Sequence, residues 1–223
     1  MRQKQFIAFV CINCDCEEHS SEQLRLQNEN SGFEQFHIKE IDMTESLKKE
    51  IGEQVYLRPL TTEDTEMVVA WRNSKRVMDN FIYQTPITTE GHLNWFHNKV
   101  ETGEVIDFVI CDNETDQPYG CIYLQNIEME HRRAEWGIFL GEPAAFGRGI
   151  GKEAAKLLVK YGFEQMNLHK ITSKVLPFNI PSIKMNEAAG YKQEAYLKDE
   201  VLINGVFQDL ILFGVINEKD VTN

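Results

Sequence analysis

Residues 146–153 read Phe146-Gly147-Arg148-Gly149-Ile150-Gly151-Lys152-Glu153, between an apolar segment at residues 136–140 and a long amphipathic run. Glycines let a ligand approach the backbone closely, and the N–H groups that open a helix lie at the positive end of its dipole. Such a turn can hold a pyrophosphate. A glycine pair between a strand and a helix is also often only a tight turn. A phosphate-bearing ligand is therefore the first hypothesis, and the surrounding pattern has to support it.

The segments after the glycine turn predict a helix, a strand and a second helix. Apolar residues recur at helical spacing over residues 150–166. Residues 170–176 alternate in a β-rich composition that ends at Pro177. A shorter helix is predicted over residues 182–189, with Gly190 as its C-terminal cap. Together with the apolar strand before the turn, this order predicts a crossover unit whose two strands pair in parallel.

The crossover unit resembles the GNAT family, the acetyl-CoA-dependent N-acetyltransferases. The family signature Gln/Arg-x-x-Gly-x-Gly/Ala opens the long helix, and this chain has Phe146-x-x-Gly149-x-Gly151, so Phe146 departs from the first position. Segments at 133–138, 168–170 and 179–191 follow the order and spacing of the GNAT core. The resemblance covers residues of about 55 to 217. It implies an α/β GNAT fold, with a mixed, mostly antiparallel central sheet that contains one parallel crossover pair and is flanked by helices.

The rest of the chain predicts the remaining elements of this fold. A strand at 55–60 precedes a helix at 63–73 that Thr62 caps, and a second helical stretch begins at Thr88 or Thr89. Hairpin strands are predicted at 108–111 and 119–124, and the pair Asn204-Gly205 predicts a second hairpin between 196–203 and 206–216. We expect residues 1–54 to form an N-terminal extension or small appended subdomain, 55–217 the acetyltransferase domain and 218–223 a tail.

Three segments look like one branch of the family, the enzymes that acetylate the 4-amino group of a nucleotide-linked amino-dideoxy sugar on the way to pseudaminic acid. They are residues 70–74, 89–96 and 132–138. The related polyamine and ribosomal-protein acetyltransferases share much of this pattern. The resemblance therefore implies direct acetyl transfer to a primary amine, first of all a nucleotide-linked amino sugar. A polyamine, an antibiotic amine or a protein N-terminus is the second hypothesis, and a non-catalytic acetyl-CoA-binding module is the third.

The expected reaction needs positioning and proton transfer more than unusual side chains, because a neutral amine attacks a thioester directly. In an alternating strand Glu135 shares a face with Gly137 and Phe139, and it can take a proton from the acceptor ammonium, directly or through water. An equal alternative is a structural carboxylate paired with Arg132, Arg133 or His131.

The proton donor to the leaving thiolate is the main departure from the family. Enzymes like this one have a Tyr near the coenzyme A sulfur at the position of Asn186, and an amide cannot act as a general acid. Either the thiolate leaves with less help, or Tyr191, His92 or water protonates it.

The same resemblance implies the remaining contacts. Acetyl-CoA is the acyl-donor co-substrate, and its expected contacts are Ile138, Phe139, Leu140, Phe146, Gly147, Arg148, Gly149, Ile150, Gly151, Lys152, Asn179, Ser182 and Asn186. The small-molecule amine acceptor is expected to contact Arg72, Tyr83, His92 and Trp95. For each of these four residues, a solvated surface position or core packing is the alternative.

Charge and cysteine content narrow the function classes. A net charge of −12 argues against nucleic-acid and anionic-membrane binding, and it suits a cationic acceptor. It does not exclude a nucleotide sugar, because basic residues can gather around phosphates, with a solvated surface as the alternative for each: Arg72, Arg76, Arg132, Arg133, His92 and His97. The apolar run at residues 6–12 is too short to span a bilayer and has no cleavage-site pattern, so we expect a cytoplasmic protein. The Cys-x-x-Cys-x-Cys at residues 11–16, with His19, is not a standard zinc spacing, and no metal site is predicted. The sequence leaves the oligomeric state open, a homodimer included.

Overall fold

The computed structural model describes residues 52–220, and the predictions for the apolar run, the cysteine cluster and most of the extension lie outside the described residues. Residues 52–220 build a seven-stranded sheet with the order β1-β2-β3-β4-β5-β7-β6. The strands are β1 (Val55–Pro59), β2 (Ile106–Asp112), β3 (Pro118–Glu128), β4 (Arg133–Leu140), β5 (Lys170–Val175), β6 (Lys192–Ile203) and β7 (Val206–Ile216). All neighbouring strands are antiparallel except β4 and β5, which confirms the predicted parallel crossover pair.

Five helices flank the sheet in residues 52–220: α1 (Thr65–Arg72), α2 (Lys75–Met78), α3 (Thr89–Trp95), α4 (Ile150–Glu164) and α5 (Ile180–Ala188). A π-helical turn, Phe96–Val100, extends α3. The predicted cap at Thr62 was wrong. Thr61 precedes a 3-10 turn that leads into α1, because the Asp64 carboxylate accepts hydrogen bonds from both the backbone N–H and the hydroxyl of Thr61. No helix of residues 52–220 is long and apolar enough to cross a bilayer.

The sheet separates two apolar layers, and β4 contributes to both. Ala134 and Trp136 pack into the larger cluster, where Leu158 of α4 is fully buried. Phe139 faces the opposite cluster, where Val68 of α1 is buried. Successive side chains of a strand point to opposite faces, so Glu135 and Gly137 share the face of Phe139, as predicted. That face carries the functional residues described below.

The hairpin predicted at Asn204-Gly205 joins β6 to β7. Both residues are left-handed, with φ of 51° and 81°, which a two-residue turn between twisted strands requires. Gly190 is also left-handed, with φ of 96°, and directly follows the last turn of α5 as predicted.

Candidate active site

The glycine turn before α4 is open to a ligand. Gly147 and Gly149 have φ of 76° and 81°, and Gly149 is the N-cap residue of α4. A side chain at either position would be strained by this backbone, and a Cβ atom there would meet nothing within 4 Å. The space beside Gly147 and Gly149 is therefore open, and it lies at the N-terminus of α4, the positive end of the helix dipole.

The side chain of Arg148 leaves the turn and anchors it to the β2–β3 hairpin. Its Nη1 donates to the hydroxyl of Tyr119 at 2.8 Å, and Tyr119 donates to Asp112 Oδ2 at 2.7 Å. The hydrogen bond from Tyr119 lowers the pKa of Asp112 to about 2. The Nη1 group of Arg148 is therefore held by the hairpin, and Arg148 does not line the groove described next. A second hydrogen bond connects the residues after the turn to residues 52–54: Gln54 N donates to Glu153 Oε1 at 2.9 Å.

Eleven of the expected acetyl-CoA contacts line one groove of about 390 Å³: Ile138, Phe139, Leu140, Phe146, Gly147, Gly149, Ile150, Gly151, Lys152, Asn179 and Ser182. Arg76 of α2 also lines this groove, and its guanidinium carbon lies 3.5 Å from the ring centroid of Phe146. The sequence indicated Arg76 only as one of several basic residues that could gather around phosphates, and not as a partner of Phe146. Phe146 stands where the family has Gln or Arg, and by stacking it brings a cation to the same place.

The parallel pairing of β4 and β5 is short, which opens a gap in the sheet. It extends only from Arg133↔Lys170 to Glu135↔Thr172, although β4 continues to Leu140. Beyond Glu135 the edge of β4 that faces β5 has no ladder partner within residues 52–220. Its free N–H groups can bind a polarised carbonyl oxygen. A cavity of about 200 Å³, here called the transfer cavity, lies in this gap.

Glu135 lines the transfer cavity together with Lys174. Its Oε1 accepts from Gln125 Nε2 at 3.1 Å, and its Oε2 lies 3.8 Å from Lys174 Nζ. The arginines offered as alternative partners bind other carboxylates, since Arg133 pairs with Glu128 and Arg132 with Asp220. Glu135 is thus only loosely paired and faces the gap, a position from which it can accept a proton.

Asn186 also lines the transfer cavity but is held in a hydrogen-bond chain. It is 1% exposed, its Oδ1 accepts from Ser173 Oγ at 2.6 Å, and its Nδ2 donates to Ser182 O at 2.9 Å. This chain joins β5 to α5. Tyr191, one alternative proton donor, is 2% exposed and packs in the larger apolar cluster against Trp136. It does not line the groove or the transfer cavity.

The four expected acceptor contacts lie together. Arg72, Tyr83, His92 and Trp95 line one cavity of about 530 Å³, here called the acceptor cavity. The acceptor cavity is also lined by Asp107 of β2 and Tyr123 of β3, and neither was among the predicted acceptor contacts. Asp107 gave no signal beyond being a charged residue directly before the predicted strand at 108–111, and the observed strand begins earlier, at Ile106. The acceptor cavity and the transfer cavity share Phe81, Tyr83, Tyr123 and Gln125 in their lining. Residues that line both the transfer cavity and the groove include Ile138, Asn179 and Ser182.

Three buried polar atoms of the acceptor cavity have no hydrogen-bond partner among residues 52–220: Arg72 Nη1, His92 Nε2 and Asp107 Oδ1. Arg72 stacks on Phe81, with 3.6 Å from its guanidinium carbon to the ring centroid, and no ion pair within the described residues joins it to Asp107. His92 Nδ1 lies 3.1 Å from Thr65 Oγ1. Burial lowers the pKa of His92 and raises that of Asp107. Unpaired buried polar groups are costly, so these atoms are suited to a polar ligand.

Comparison with known proteins identifies relatives across most of the chain. Residues 54–192 match the acetyltransferase (GNAT) domain. A probable N-acetyltransferase of Bacillus subtilis (strain 168), YjcK, is 31% identical over 180 residues, which is 76% of this chain and 97% of that protein. Spermidine N(1)-acetyltransferase of Escherichia coli (strain K12) is 33% identical over 167 residues, 74% of this chain and 87% of that protein.

Solved structures agree with the fold. The spermidine N-acetyltransferase of Vibrio cholerae, in complex with CoA and spermine, superposes with a TM-score of 0.70 at 24% identity. The similarity covers 77% of this chain and 100% of that one. A GNAT-family acetyltransferase from Bacillus anthracis has a TM-score of 0.66 at 27% identity, over 74% of this chain and 96% of that one.

Proposed function

This chain belongs to the GNAT family of N-acetyltransferases and takes its acetyl group from acetyl-CoA, and we propose that its acceptor is the 4-amino group of a nucleotide-linked amino-dideoxy sugar. The single observation that carries the choice of acceptor is the pairing of an unpartnered donor, Arg72 Nη1, with an unpartnered acceptor, Asp107 Oδ1, in one cavity. The family and its relatives favour an enzyme over the non-catalytic acetyl-CoA-binding module.

The proposed coenzyme A site is the groove along the glycine turn. The pyrophosphate lies over the N–H groups around Gly149, where nothing would hinder it. Arg76, held on Phe146, adds a positive charge at the same end of the groove. Asn179 and Ser182, which line both the groove and the transfer cavity, contact the arm that leads to the thioester.

The proposed reaction takes place in the transfer cavity. The amine nitrogen forms a bond to the acyl carbon, the carbon–sulfur bond breaks, and coenzyme A leaves as a thiolate. Glu135 takes the proton that the nitrogen loses. Backbone N–H groups on the open edge of β4 stabilise the negative oxygen. Asn186 has no acidic proton. Tyr191 packs in the larger apolar cluster, and His92 lines the acceptor cavity instead of the transfer cavity, so the thiolate is protonated by water.

The acceptor cavity favours an amine that carries hydroxyl groups. Sugar hydroxyls both accept and donate hydrogen bonds, so they match a cavity in which Arg72 Nη1 is an unpartnered donor and Asp107 Oδ1 an unpartnered acceptor. A protonated polyamine has only donors, so it would leave Arg72 unsatisfied and add a second cation beside it. Sugar rings also offer apolar faces for aromatic side chains such as Tyr83 and Trp95, which line the cavity.

A polyamine is the second candidate acceptor. It is favoured by the Escherichia coli relative, which is a spermidine N(1)-acetyltransferase. The carboxyl groups of Asp107 and Glu135 and the net charge of −12 would attract a polycation.

Two further expectations stay predictions: that the protein can form a homodimer, and that residues 1–54 form an extension or small subdomain.

Thiol release from acetyl-CoA tests the proposal. We expect rapid release with a UDP-linked 4-amino-4,6-dideoxy sugar, and slow release with spermidine or a peptide N-terminus. Glu135→Gln should lower kcat by a factor of about 10² to 10⁴, the usual contribution of a general base. Glu128→Gln is the matched control, because this carboxylate pairs with Arg133 outside the cavities and should leave kcat unchanged. Faster release with spermidine would favour the second candidate, and a rate that no amine raises above the amine-free background would contradict an acetyltransferase.

A further inference from the structure

The side chain of Tyr123 lies at the point where the acceptor cavity meets the transfer cavity, and it lines both. Tyr123 of β3 is the register partner of Gly137 of β4. A Cβ atom built on Gly137 would lie 2.3 Å from the Tyr123 hydroxyl oxygen, so the hydroxyl covers the Cα atom of this glycine. Any side chain at position 137 would clash with Tyr123, so this position requires glycine, and the Tyr123 hydroxyl lies at the gap in the sheet.

The Tyr123 hydroxyl is available to a ligand. Among the residues that the structure describes, no side chain or backbone group forms a hydrogen bond with it. Burial raises the pKa of Tyr123 above its usual value, with Asp107 adding to the increase. The phenol is therefore uncharged at neutral pH, and it can accept one hydrogen bond and donate another.

Tyr123 stands beside the proposed base. Glu135 and Gly137 are two positions apart on one face of β4, and their register partners on β3 are Gln125 and Tyr123. Gln125 is bonded to Glu135, which leaves Tyr123 as the polar side chain of this pair that has no partner. An amine that enters from the acceptor cavity and reaches the gap has the carboxylate on one side and the hydroxyl on the other.

We infer that the Tyr123 hydroxyl accepts a hydrogen bond from the acceptor nitrogen and fixes the direction from which the amine attacks the acyl carbon. The inference rests on the proposed acetyl transfer but not on the class of amine. The nitrogen gives one proton to Glu135 as the carbon–nitrogen bond forms, and it keeps its hydrogen bond to Tyr123 while the thiolate leaves. No proton is lost by the phenol. Orientation of this kind accounts for large factors in bimolecular reactions.

The test is Tyr123→Phe in the full chain, assayed by thiol release with the UDP-linked 4-amino sugar and with spermidine. The substitution removes one oxygen atom and leaves the ring. We expect kcat/KM for whichever amine is turned over to fall about ten- to a hundredfold, the range for a lost hydrogen bond to a developing charge. The KM for acetyl-CoA and the slow, amine-independent hydrolysis of acetyl-CoA should not change. Tyr196→Phe is the matched control, because its hydroxyl donates to Asp209 on the exposed edge of the sheet.

Three outcomes would overturn the inference. Equal kcat/KM for Tyr123→Phe and the wild type would show that the hydroxyl only fills space. A parallel fall in amine-independent hydrolysis would place the hydroxyl on the acyl oxygen instead of the nitrogen. A lowered midpoint of thermal unfolding together with a raised KM for acetyl-CoA would indicate a packing role. Failure of the proposed function is recognised separately, since no amine would then raise thiol release by the wild type above its amine-free background.

Discussion

Asp107→Asn should raise the free energy of unfolding and lower kcat/KM for the acceptor. Asp107 is 7% exposed, and its Oδ1 has no hydrogen-bond partner in the described part of the chain. Burial raises its pKa; the charge of Arg72 partly opposes this and that of Asp64 reinforces it. The charged form of Asp107 is therefore unfavourable in the free enzyme, and we expect a bound acceptor that donates a hydrogen bond to stabilise it. Asparagine keeps the shape of the side chain and removes the charge.

The sign of the effect follows from the raised pKa. A carboxyl group whose folded-state pKa lies above its unfolded value, near 3.9, contributes stability below that value and loses it as the pH rises through the folded pKa. Asparagine does not titrate. The free energy of unfolding of Asp107→Asn minus that of the wild type should thus increase with pH. An unsatisfied buried group costs about 1–3 kcal/mol, so we expect a gain of about 1–2 kcal/mol at pH 8.

Urea unfolding of both proteins between pH 5 and pH 9 measures this difference. Asp112→Asn is a control of opposite sign, because the Tyr119 hydrogen bond lowers the pKa of Asp112 and its substitution should destabilise the protein at neutral pH. In parallel, kcat/KM of Asp107→Asn should fall about tenfold for the sugar nucleotide, a loss of about 1.4 kcal/mol. A difference in stability that is flat or decreases with pH would refute the reasoning.

Two further substitutions test the groove and the hydrogen-bond chain beside it. Arg76→Ala should raise the KM for acetyl-CoA about tenfold, because it removes a cation near the pyrophosphate. Lys75→Ala is the control and should leave this KM unchanged, because the Lys75 ammonium pairs with Asp79. Equal KM values for both variants would exclude Arg76 from the site. Ser173→Ala leaves Asn186 Oδ1 without its donor and should lower the free energy of unfolding by about 1–3 kcal/mol; unchanged urea midpoints would show that another group replaces the serine.

Local chemistry made much of the fold predictable from the sequence. The turn at Gly147 and Gly149 requires positive φ, and Asn204-Gly205 suits a two-residue hairpin, so these residues specify their backbone almost independently of context. The cap at Thr61 was missed because either threonine fits the pattern, and only the folded chain shows which one the Asp64 carboxylate reaches.

The acceptor cavity was predictable only in part. The resemblance to the family grouped Arg72 with His92, and the structure places them in one cavity. Asp107 and Tyr123 gave little signal, because the middle of a sheet with helices on both faces buries both sides of each strand and hides the alternation. Arg76 was predicted only as one of several basic residues that could gather around phosphates, since its position depends on stacking against Phe146, 70 positions later in the chain.

The most direct test of the account is a competition in one vessel. The full-length protein receives acetyl-CoA with equal concentrations of a UDP-linked 4-amino-4,6-dideoxy sugar and spermidine, and mass spectrometry follows which amine gains an acetyl group. We predict that the acetylated sugar nucleotide accumulates first and that Asp107→Asn lowers the ratio of acetylated sugar nucleotide to acetylated spermidine. Acetylation of spermidine alone, or of neither amine, would contradict it.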